Sequence, residues 1–214
     1  PPPPTSVTPP SRRPEFAIKA PQLTDWILAS GSPYRRELLG RLGRDFEVAS
    51  PDIDESPRPG ESADELVVRL AESKARAVAE GRPTGLVIGS DQVSERDGTI
   101  LGKPGDAATA REQLRGASGR TVTFHTGLAL VDAATGEAQV AVEHTRVRFR
   151  QLDDAMIERY VAAENPVDCA GGFKSEGLGV VLFDAIEGED PAALVGLPLI
   201  RLVRMLEAAG ETLP

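Results

Sequence analysis

The sequence has few of the residues that mark secreted, membrane-bound or zinc-binding proteins. It has one cysteine, Cys169, so an internal disulfide is excluded, and no Cys/His cluster has the spacing of a zinc site. No apolar run approaches the roughly 18 residues of a membrane span, and the first residues lack the hydrophobic core of a signal peptide. We therefore expect a cytoplasmic protein with no membrane partner.

Positive charge is also scarce. Lys and Arg number 24 against 33 Asp and Glu, and the formal net charge is −9. A chain with this balance has no global basic field to hold DNA or RNA, so no nucleic-acid polymer is expected as a partner. Any phosphate binding must then depend on a few placed cations, which favours a small nucleotide.

Several common catalytic motifs are missing as well. The sequence contains no Walker motif, no G-x-G-x-x-G, no G-x-S-x-G and no histidine suited to a triad. Kinase, dehydrogenase and serine-hydrolase functions therefore lack support.

What is present is the composition of an ordinary globular protein, whose 214 residues are enough for one domain with a real core. Residues 1–20 are rich in proline and poor in large apolar side chains, which predicts a disordered tail. A single domain over residues 21–214 follows. Its alternating elements and one long hairpin indicate an α/β fold with a mixed sheet and flanking helices.

The stretch WILASGSPYRRELL, from Trp26 to Leu39, organises the chain. It predicts a short buried strand, a small-residue turn, and a helix that begins after Ser32. Arg35 and Arg36 then fall in the first helical turn, where the helix dipole disfavours cations. A bound phosphate would resolve that conflict, and a solvated basic helix start is the alternative.

A second helix is predicted from Ser62, which opens a capping box, to about Glu80. At about 100° per residue, Lys74 lands in the middle of its apolar stripe, which includes Ala77. Lys74 either snorkels to solvent or points its ammonium into a cleft. The run from Leu86 to Asp91 predicts a buried strand that ends in a carboxylate.

The later elements follow from caps and alternation. Strands are predicted over 121–131 and 139–150, with Arg146, Arg148 and Arg150 on a wet face. Another short strand is predicted over 179–183. Helices are predicted after Asp106 and Asp153, and a closing helix over 197–209.

The unusual polar residues gather at predicted strand ends, in loops and on one apolar face, where α/β sheets collect binding groups. Four to six cations with two or three carboxylates are the inventory of a triphosphate site: cations neutralise phosphate oxygens, and carboxylates hold a divalent metal and orient a water. The set comprises Ser30, Ser32, Arg35, Arg36, Asp54, Glu55, Lys74, Asp91, Gln92, Lys103, Lys174 and Glu176.

Taken together, successive blocks of the chain resemble those of the Maf-like nucleotide pyrophosphatases. The blocks are ILASGSPYRRELL, DIDES, VVRLAESKA, VIGSDQV, LGKPGD, SGRTVTFHTGLAL, YVAAENPVDCAGGFKSEGLG and LVGLPLIRL. The resemblance implies hydrolysis of a nucleoside triphosphate to the monophosphate and pyrophosphate, with Mg²⁺ or Mn²⁺. It also implies two lobes around a cleft, similar to inosine-triphosphate pyrophosphatases, and a homodimer.

The same resemblance implies a role for each matching position. Asp91 matches the proton acceptor, and Tyr34, Gln92 and Glu176 match positions that select the base. The phosphate and metal pocket is matched by Ser30, Arg35, Arg36, Lys74 and Lys103, with Glu55 as the metal ligand.

The base-selecting residues resemble the branch that acts on 7-methyl-GTP. Many members carry arginine at the position of Tyr34 and threonine at that of Gln92, and those resemble the dTTP/UTP branch. An aromatic face attracts the cationic 7-methylguanine ring; Glu176 can accept from guanine N–H groups, and Gln92 offers both donor and acceptor. The alternatives are a dTTP or UTP pyrophosphatase, a non-catalytic nucleotide sensor that regulates septum formation, and, for Tyr34 alone, simple packing.

Overall fold

The computed structural model describes residues 25–213, so the predicted tail over residues 1–20 lies outside the described part. The strands are β1 (Trp26–Leu28), β2 (Phe46–Val48), β3 (Leu86–Arg96), β4 (Thr99–Leu101), β5 (Thr121–Asp132), β6 (Ala138–Phe149) and β7 (Phe183–Glu187). The α-helices are α1 (Pro33–Gly40), α2 (Ala63–Ala79), α3 (Ala107–Ala117), α4 (Asp154–Glu164) and α5 (Leu199–Ala208). Short 3₁₀ helices span Ala170–Gly172, Leu178–Leu182 and Ala193–Val195.

The strands form one mixed sheet in the order β2-β1-β3-β5-β6-β7, with β4 paired to β3. The pairs β1–β2 and β1–β3 are parallel, and the other pairs are antiparallel. The predicted α/β fold with a mixed sheet is therefore confirmed. None of the helices within residues 25–213 has the length and apolar character needed to cross a membrane.

One edge of β3 is interrupted. β1 pairs with its residues 86–88 and β4 with its residues 94–96, while β5 takes the other edge. Within the described part of the chain, no strand pairs with residues 89–93 on the β1/β4 edge. Asp91 and Gln92 lie in the middle of this gap and point to opposite faces of the sheet, because side chains alternate along a strand.

The helices divide between the two faces of the sheet. On one face, α1 and α5 pack on Trp26 and Ile88, whereas α3 and α4 pack on Phe124 and Phe149, so two cores form side by side. On the other face, α2 covers the sheet with smaller clusters that contain Ala71 and Val93. The predicted two lobes around a cleft stay a prediction.

Helix starts follow the predicted caps, with one exception. Ser32 Oγ accepts from the backbone N–H of Arg35, and Ser62 forms the expected capping box with Glu65. The closing helix was predicted from residue 197, but it begins at Leu199 and has no side-chain cap of its own. Its N-terminal N–H groups are bound instead by the buried Asp190, whose Oδ2 lies 2.7 Å from the amide nitrogen of Ile200.

Three local predictions were wrong. The strand predicted to end at Asp91 continues to Arg96, because β4 and β5 both pair with its second half. The strand predicted over 179–183 is a 3₁₀ helix up to Leu182, since the carbonyl oxygen of Lys174 accepts the amides of Gly177 and Gly179 and tightens the turn. Ala77 is exposed; Ala71 and Ala75 take the inward positions on α2.

The closest approach of helix and sheet is at two glycines. A methyl group added at Gly89 would overlap the carbonyl oxygen of Ala71, and one added at Gly127 would overlap that of Val67. Both carbonyls belong to α2, so the absence of a β-carbon at these two positions lets the helix lie directly on β3 and β5.

Gly89→Ala is therefore expected to lower the free energy of unfolding by about 1–3 kcal/mol or more, as overpacking does. Urea denaturation measures the change. Gly40→Ala is the matched control, because nothing lies within 4 Å of its added methyl group at the end of α1. Equal stability of the two variants would contradict this account of the helix–sheet contact.

Candidate active site

The gap along β3 opens into a cleft of about 640 Å³. One wall is the turn that follows β1, the other is the end of β4 and the loop after it, and α2 and the loop before it close the back. The cleft brings together most of the predicted site residues, namely Ser30, Ser32, Tyr34, Arg35, Glu55, Lys74, Asp91, Gln92 and Lys103.

Lys74 links two carboxylates at the back of the cleft. Its Nζ lies 2.7 Å from Asp91 Oδ1 and 2.9 Å from Glu55 Oε1. Lys74 and Asp91 are buried, whereas Glu55 comes from an exposed loop. The ammonium therefore points into the cleft, and the snorkelling alternative is wrong. A buried carboxylate needs such a partner, because an unpaired charge is costly to bury.

Arg35 is held in place by the chain around it. Its Nε donates to the carbonyl oxygen of Gly196 at 2.8 Å, and its Nη1 donates to Ser30 Oγ at 3.3 Å. Burial lowers the pKa of the Arg35 guanidinium, and the negative charges of Asp91 and Glu55 oppose that shift. The guanidinium is thus fixed at the helix start before any ligand arrives.

A smaller hollow of about 80 Å³ adjoins the cleft and shares Tyr34, Gln92 and Lys103 with it. Glu176 lines this hollow, together with Phe173 and the loop residues Asp168 and Cys169. The three residues predicted to select the base therefore meet at one end of the cleft.

Gln92 differs from its prediction in one respect. Its amide nitrogen donates to Thr126 Oγ1 at 2.9 Å, to the carbonyl oxygen of Ala193 at 2.8 Å and to that of Leu194 at 3.2 Å. The two N–H bonds are therefore used inside the protein, and only the Oε1 acceptor remains for a ligand. The prediction that Gln92 offers a ligand both a donor and an acceptor is therefore wrong.

Asp168 and Cys169 were missed by the sequence analysis as residues of the site. Burial raises the pKa of the Cys169 thiol to about 12, and the adjacent Asp168 carboxylate adds to this. Burial likewise raises the pKa of Tyr34, with contributions from Cys169, Asp168 and Glu176. The sequence signal that could have identified these two residues is a carboxylate next to the one cysteine, in the loop that follows α4.

Three candidates lie outside the cleft. Arg36 is exposed and lines a separate depression beside Phe46. Asp54 accepts from the backbone N–H of Ser56, and Lys174 Nζ donates to the carbonyl oxygen of Glu164 at 2.8 Å. The structure therefore does not bring these three side chains to the predicted phosphate pocket.

Within residues 25–213, two groups of side chains could hold a metal ion. In the cleft, Glu55 and Asp91 offer carboxylate oxygens, the ligands that Mg²⁺ and Mn²⁺ prefer, so the residues present fit the predicted ion. A second group, Asp64, His125 and His144, lies outside the cleft lining. It was not predicted, because the sequence analysis did not pair residues across the β5–β6 hairpin, where His125 and His144 are direct partners.

A mixed α/β sheet with three cations and three carboxylates in one cleft defines a protein suited to a polyphosphate ligand. The family model described as "Maf-like protein" matches residues 25–209, so this chain belongs to the Maf-like family. A curated protein named 7-methyl-GTP pyrophosphatase in Pseudomonas aeruginosa is 62% identical, over 90% of this chain and 100% of that protein.

Two further relatives carry the same name. The one in Albidiferax ferrireducens is 57% identical over 86% of this chain and 92% of its own length. The one in Pseudomonas fluorescens is 58% identical over 88% of this chain and 98% of its own length. This chain therefore aligns with nearly the whole of each relative.

The buried pair of Lys74 and Asp91 is expected to couple strongly. Lys74→Met should lower the free energy of unfolding by about 3 kcal/mol, the lower end for a broken buried pair because the cleft admits water. Adding Asp91→Asn should recover part of that loss, with a coupling energy of about 1–3 kcal/mol in a double-mutant cycle.

The control cycle uses Arg120→Met and Asp97→Asn, an ion pair whose side chains are 57% and 65% exposed. Its coupling energy should stay below about 1 kcal/mol, as is usual for exposed pairs. Chemical denaturation of all the variants measures both cycles. Coupling in the cleft no larger than in the control would contradict the role given to Lys74.

Proposed function

We propose that this protein is a nucleoside triphosphate pyrophosphatase that hydrolyses 7-methyl-GTP to 7-methyl-GMP and pyrophosphate. The observation that carries the proposal is the distribution of charge along the cleft. Arg35, Lys103 and Asp168 line both its larger part and the adjoining hollow, whereas Lys74 lines only the larger part and Glu176 lines only the hollow. A substrate with an anionic triphosphate and a cationic base matches both ends.

At the phosphate end, positioning and charge neutralisation do most of the work. Arg35 and Lys103 neutralise phosphate oxygens, and Ser30, which accepts from Arg35, holds the guanidinium in orientation. Glu55 is proposed as the metal ligand, together with the substrate phosphates. When bound, Mg²⁺ or Mn²⁺ supplies further neutralisation of the pyrophosphate leaving group.

Asp91 is proposed as the proton acceptor for the attacking water. Its Oδ1 is held by Lys74, which leaves Oδ2 for the water. The water attacks the α-phosphorus, its proton passes to Asp91, and the bond to the bridging oxygen of pyrophosphate breaks. Lys74 orients Asp91 and keeps it from repelling the substrate.

At the base end, two of the residues predicted to select the base present acceptors. Gln92 presents only Oε1, because its amide nitrogen is already bound, and Glu176 presents a carboxylate. Guanine offers two adjacent donors at N1 and N2, whereas uracil and thymine offer one donor, N3–H, between two carbonyl oxygens that these acceptors would repel. This acceptor set supports guanine over the pyrimidine alternative.

The positive charge of 7-methylguanine adds a second criterion. Tyr34 offers an aromatic face at the junction of cleft and hollow, and Asp168 and Glu176 add negative charge nearby. The names of relatives at 57–62% identity agree with this substrate. The predicted homodimer and cytoplasmic location remain predictions.

Asp91→Asn is expected to lower kcat by about 10²–10⁴-fold, the usual contribution of a general base, while nucleotide binding is retained. Pyrophosphate release measures turnover, and calorimetric titration measures binding. Asp97→Asn, in the exposed turn after β3, is the matched control and should keep wild-type turnover. Wild-type turnover by Asp91→Asn would reject Asp91 as the base.

Wild-type protein should also be assayed with 7-methyl-GTP, GTP, dTTP and UTP, with Mg²⁺ or Mn²⁺ present. The highest kcat/KM is expected for 7-methyl-GTP. Preference for dTTP or UTP would favour the pyrimidine branch instead. Binding of all triphosphates without release of pyrophosphate would indicate a nucleotide sensor.

Tyr34→Leu removes the aromatic face and should reduce the preference for 7-methyl-GTP over GTP by about 2- to 30-fold, which corresponds to a cation–π interaction of about 0.5–2 kcal/mol. The ratio of kcat/KM for the two substrates measures it. Tyr34→Phe keeps the ring and should keep the ratio. If both variants retain the wild-type ratio, Tyr34 only packs against the loop.

A further inference from the structure

A second polar cluster lies on the α2 face of the sheet, apart from the cleft. Asp64 Oδ1 is 2.6 Å from His125 Nδ1 and 2.8 Å from His144 Nε2. All three of these atoms lie within 4.8 Å of one another. We propose that Asp64, His125 and His144 bind a divalent transition-metal ion of the zinc type.

The fold fixes the positions of all three side chains. His125 on β5 and His144 on β6 are direct partners across the hairpin, so their side chains lie on the same face. Asp64 lies in the first turn of α2, which crosses that face at Gly127. Each ligand therefore comes from a different element, and two of these belong to the longest strands of the sheet.

The geometry is close to that of a metal site. At a metal–ligand distance of about 2.0–2.1 Å, tetrahedral ligand atoms are about 3.3 Å apart, so the contacts of 2.6 Å and 2.8 Å need to open by only about 0.5–0.7 Å. The side chains of Asp64 and His144 are each 45% exposed, which leaves them room to adjust. A water molecule can supply a fourth ligand.

The donor set selects the ion. Two imidazole nitrogens and one carboxylate oxygen suit Zn²⁺, Co²⁺ or Ni²⁺, whereas Mg²⁺ prefers oxygen ligands and keeps its waters. This set differs from the carboxylates of the cleft, so the two sites should take different ions. None of the three proposed ligands lines the cleft, although Leu66 and Val93 on neighbouring elements do. The proposed metal site is therefore separate from the cleft.

The far side of His125 provides an independent reason. His125 is 9% exposed, and its buried Nε2 has no hydrogen-bond partner in the described structure. While Nδ1 donates to Asp64, a neutral ring leaves a lone pair on Nε2, and that lone pair faces Glu95 Oε2 at 3.8 Å. In this neutral tautomer two acceptors face each other, and either an imidazolium or a metal ion at Nδ1 would place a proton on Nε2.

Metal binding at Nδ1 would remove this mismatch. The ring proton then belongs on Nε2, which becomes a donor aimed at the Glu95 carboxylate. A histidine ligand whose other nitrogen donates to a carboxylate is the usual outer arrangement of a metal site. Glu95 is therefore a positioning residue, and the ion would tie the first turn of α2 to the β5–β6 hairpin.

Calorimetric titration of the untagged protein with Zn²⁺ tests the site, because the chain has only two histidines. One equivalent is expected to bind, and the melting temperature should rise by about 5–10 °C at a Zn²⁺ concentration of a hundred times Kd. Co²⁺ should bind with the visible absorption of a tetrahedral nitrogen–oxygen site. No Zn²⁺ binding would overturn the proposal.

His144→Gln keeps a donor for Asp64 but is a poor metal ligand, so it should fold normally and lose the Zn²⁺-induced shift. Glu95→Gln should weaken Zn²⁺ binding by about 10- to 100-fold, as loss of an outer partner does. Asp91→Asn is the control for binding in the cleft and should bind Zn²⁺ as wild type does. Equal affinity of His144→Gln and wild type would refute the site.

Imidazole ¹⁵N NMR gives a readout that does not depend on affinity. His125 should carry its proton on Nδ1 without metal and on Nε2 with Zn²⁺, whereas His144 should be metal-bound through Nε2. A His125 proton that stays on Nδ1 in the presence of Zn²⁺ would contradict the proposal. Neither result bears on pyrophosphatase activity, which is tested separately.

Discussion

The structure depends on an interruption of pairing along one edge of β3. β1 and β4 leave residues 89–93 of that edge open, and the cleft occupies the space where a continuous strand would lie. Because neighbouring side chains of a strand point to opposite faces, Asp91 and Gln92 lie on opposite faces of the sheet at the same gap. Asp91 meets α2 and its Lys74, and Gln92 meets the segment before α5.

A chain with a net negative charge can still bind a polyphosphate, because a few of its cations are held in fixed positions in the cleft. Lys74 is shared between Asp91 and Glu55, and Arg35 is fixed by Ser30 and a backbone carbonyl. These contacts fix the cations in the absence of ligand, which reduces the entropy lost on binding. The same neutralisation keeps the carboxylates from repelling a triphosphate.

The caps and the apolar stripes were predictable because they are local. Ser32 and Ser62 act within one helical turn, and the position of Lys74 follows from helical periodicity alone. The features that were not predicted depend on contacts between residues that are distant in sequence. The extension of β3 beyond Asp91 depends on β4 and β5, and the internal use of the Gln92 amide depends on a segment about a hundred residues away. His125 and His144 could have been paired by counting outward from the hairpin turn.

The segment before α5 supplies backbone carbonyls to side chains on three earlier elements. Gly196 accepts from Arg35 on α1 and Ser90 on β3, and Ala193 accepts from Gln92 on β3 and Thr126 on β5. A nascent chain that has not yet passed this segment cannot assemble the pocket, however well its first strands have formed. Ribosome-bound or prematurely terminated products that lack this segment should therefore not bind nucleotides. The ability to bind nucleotide is acquired late in synthesis, once this segment is in place.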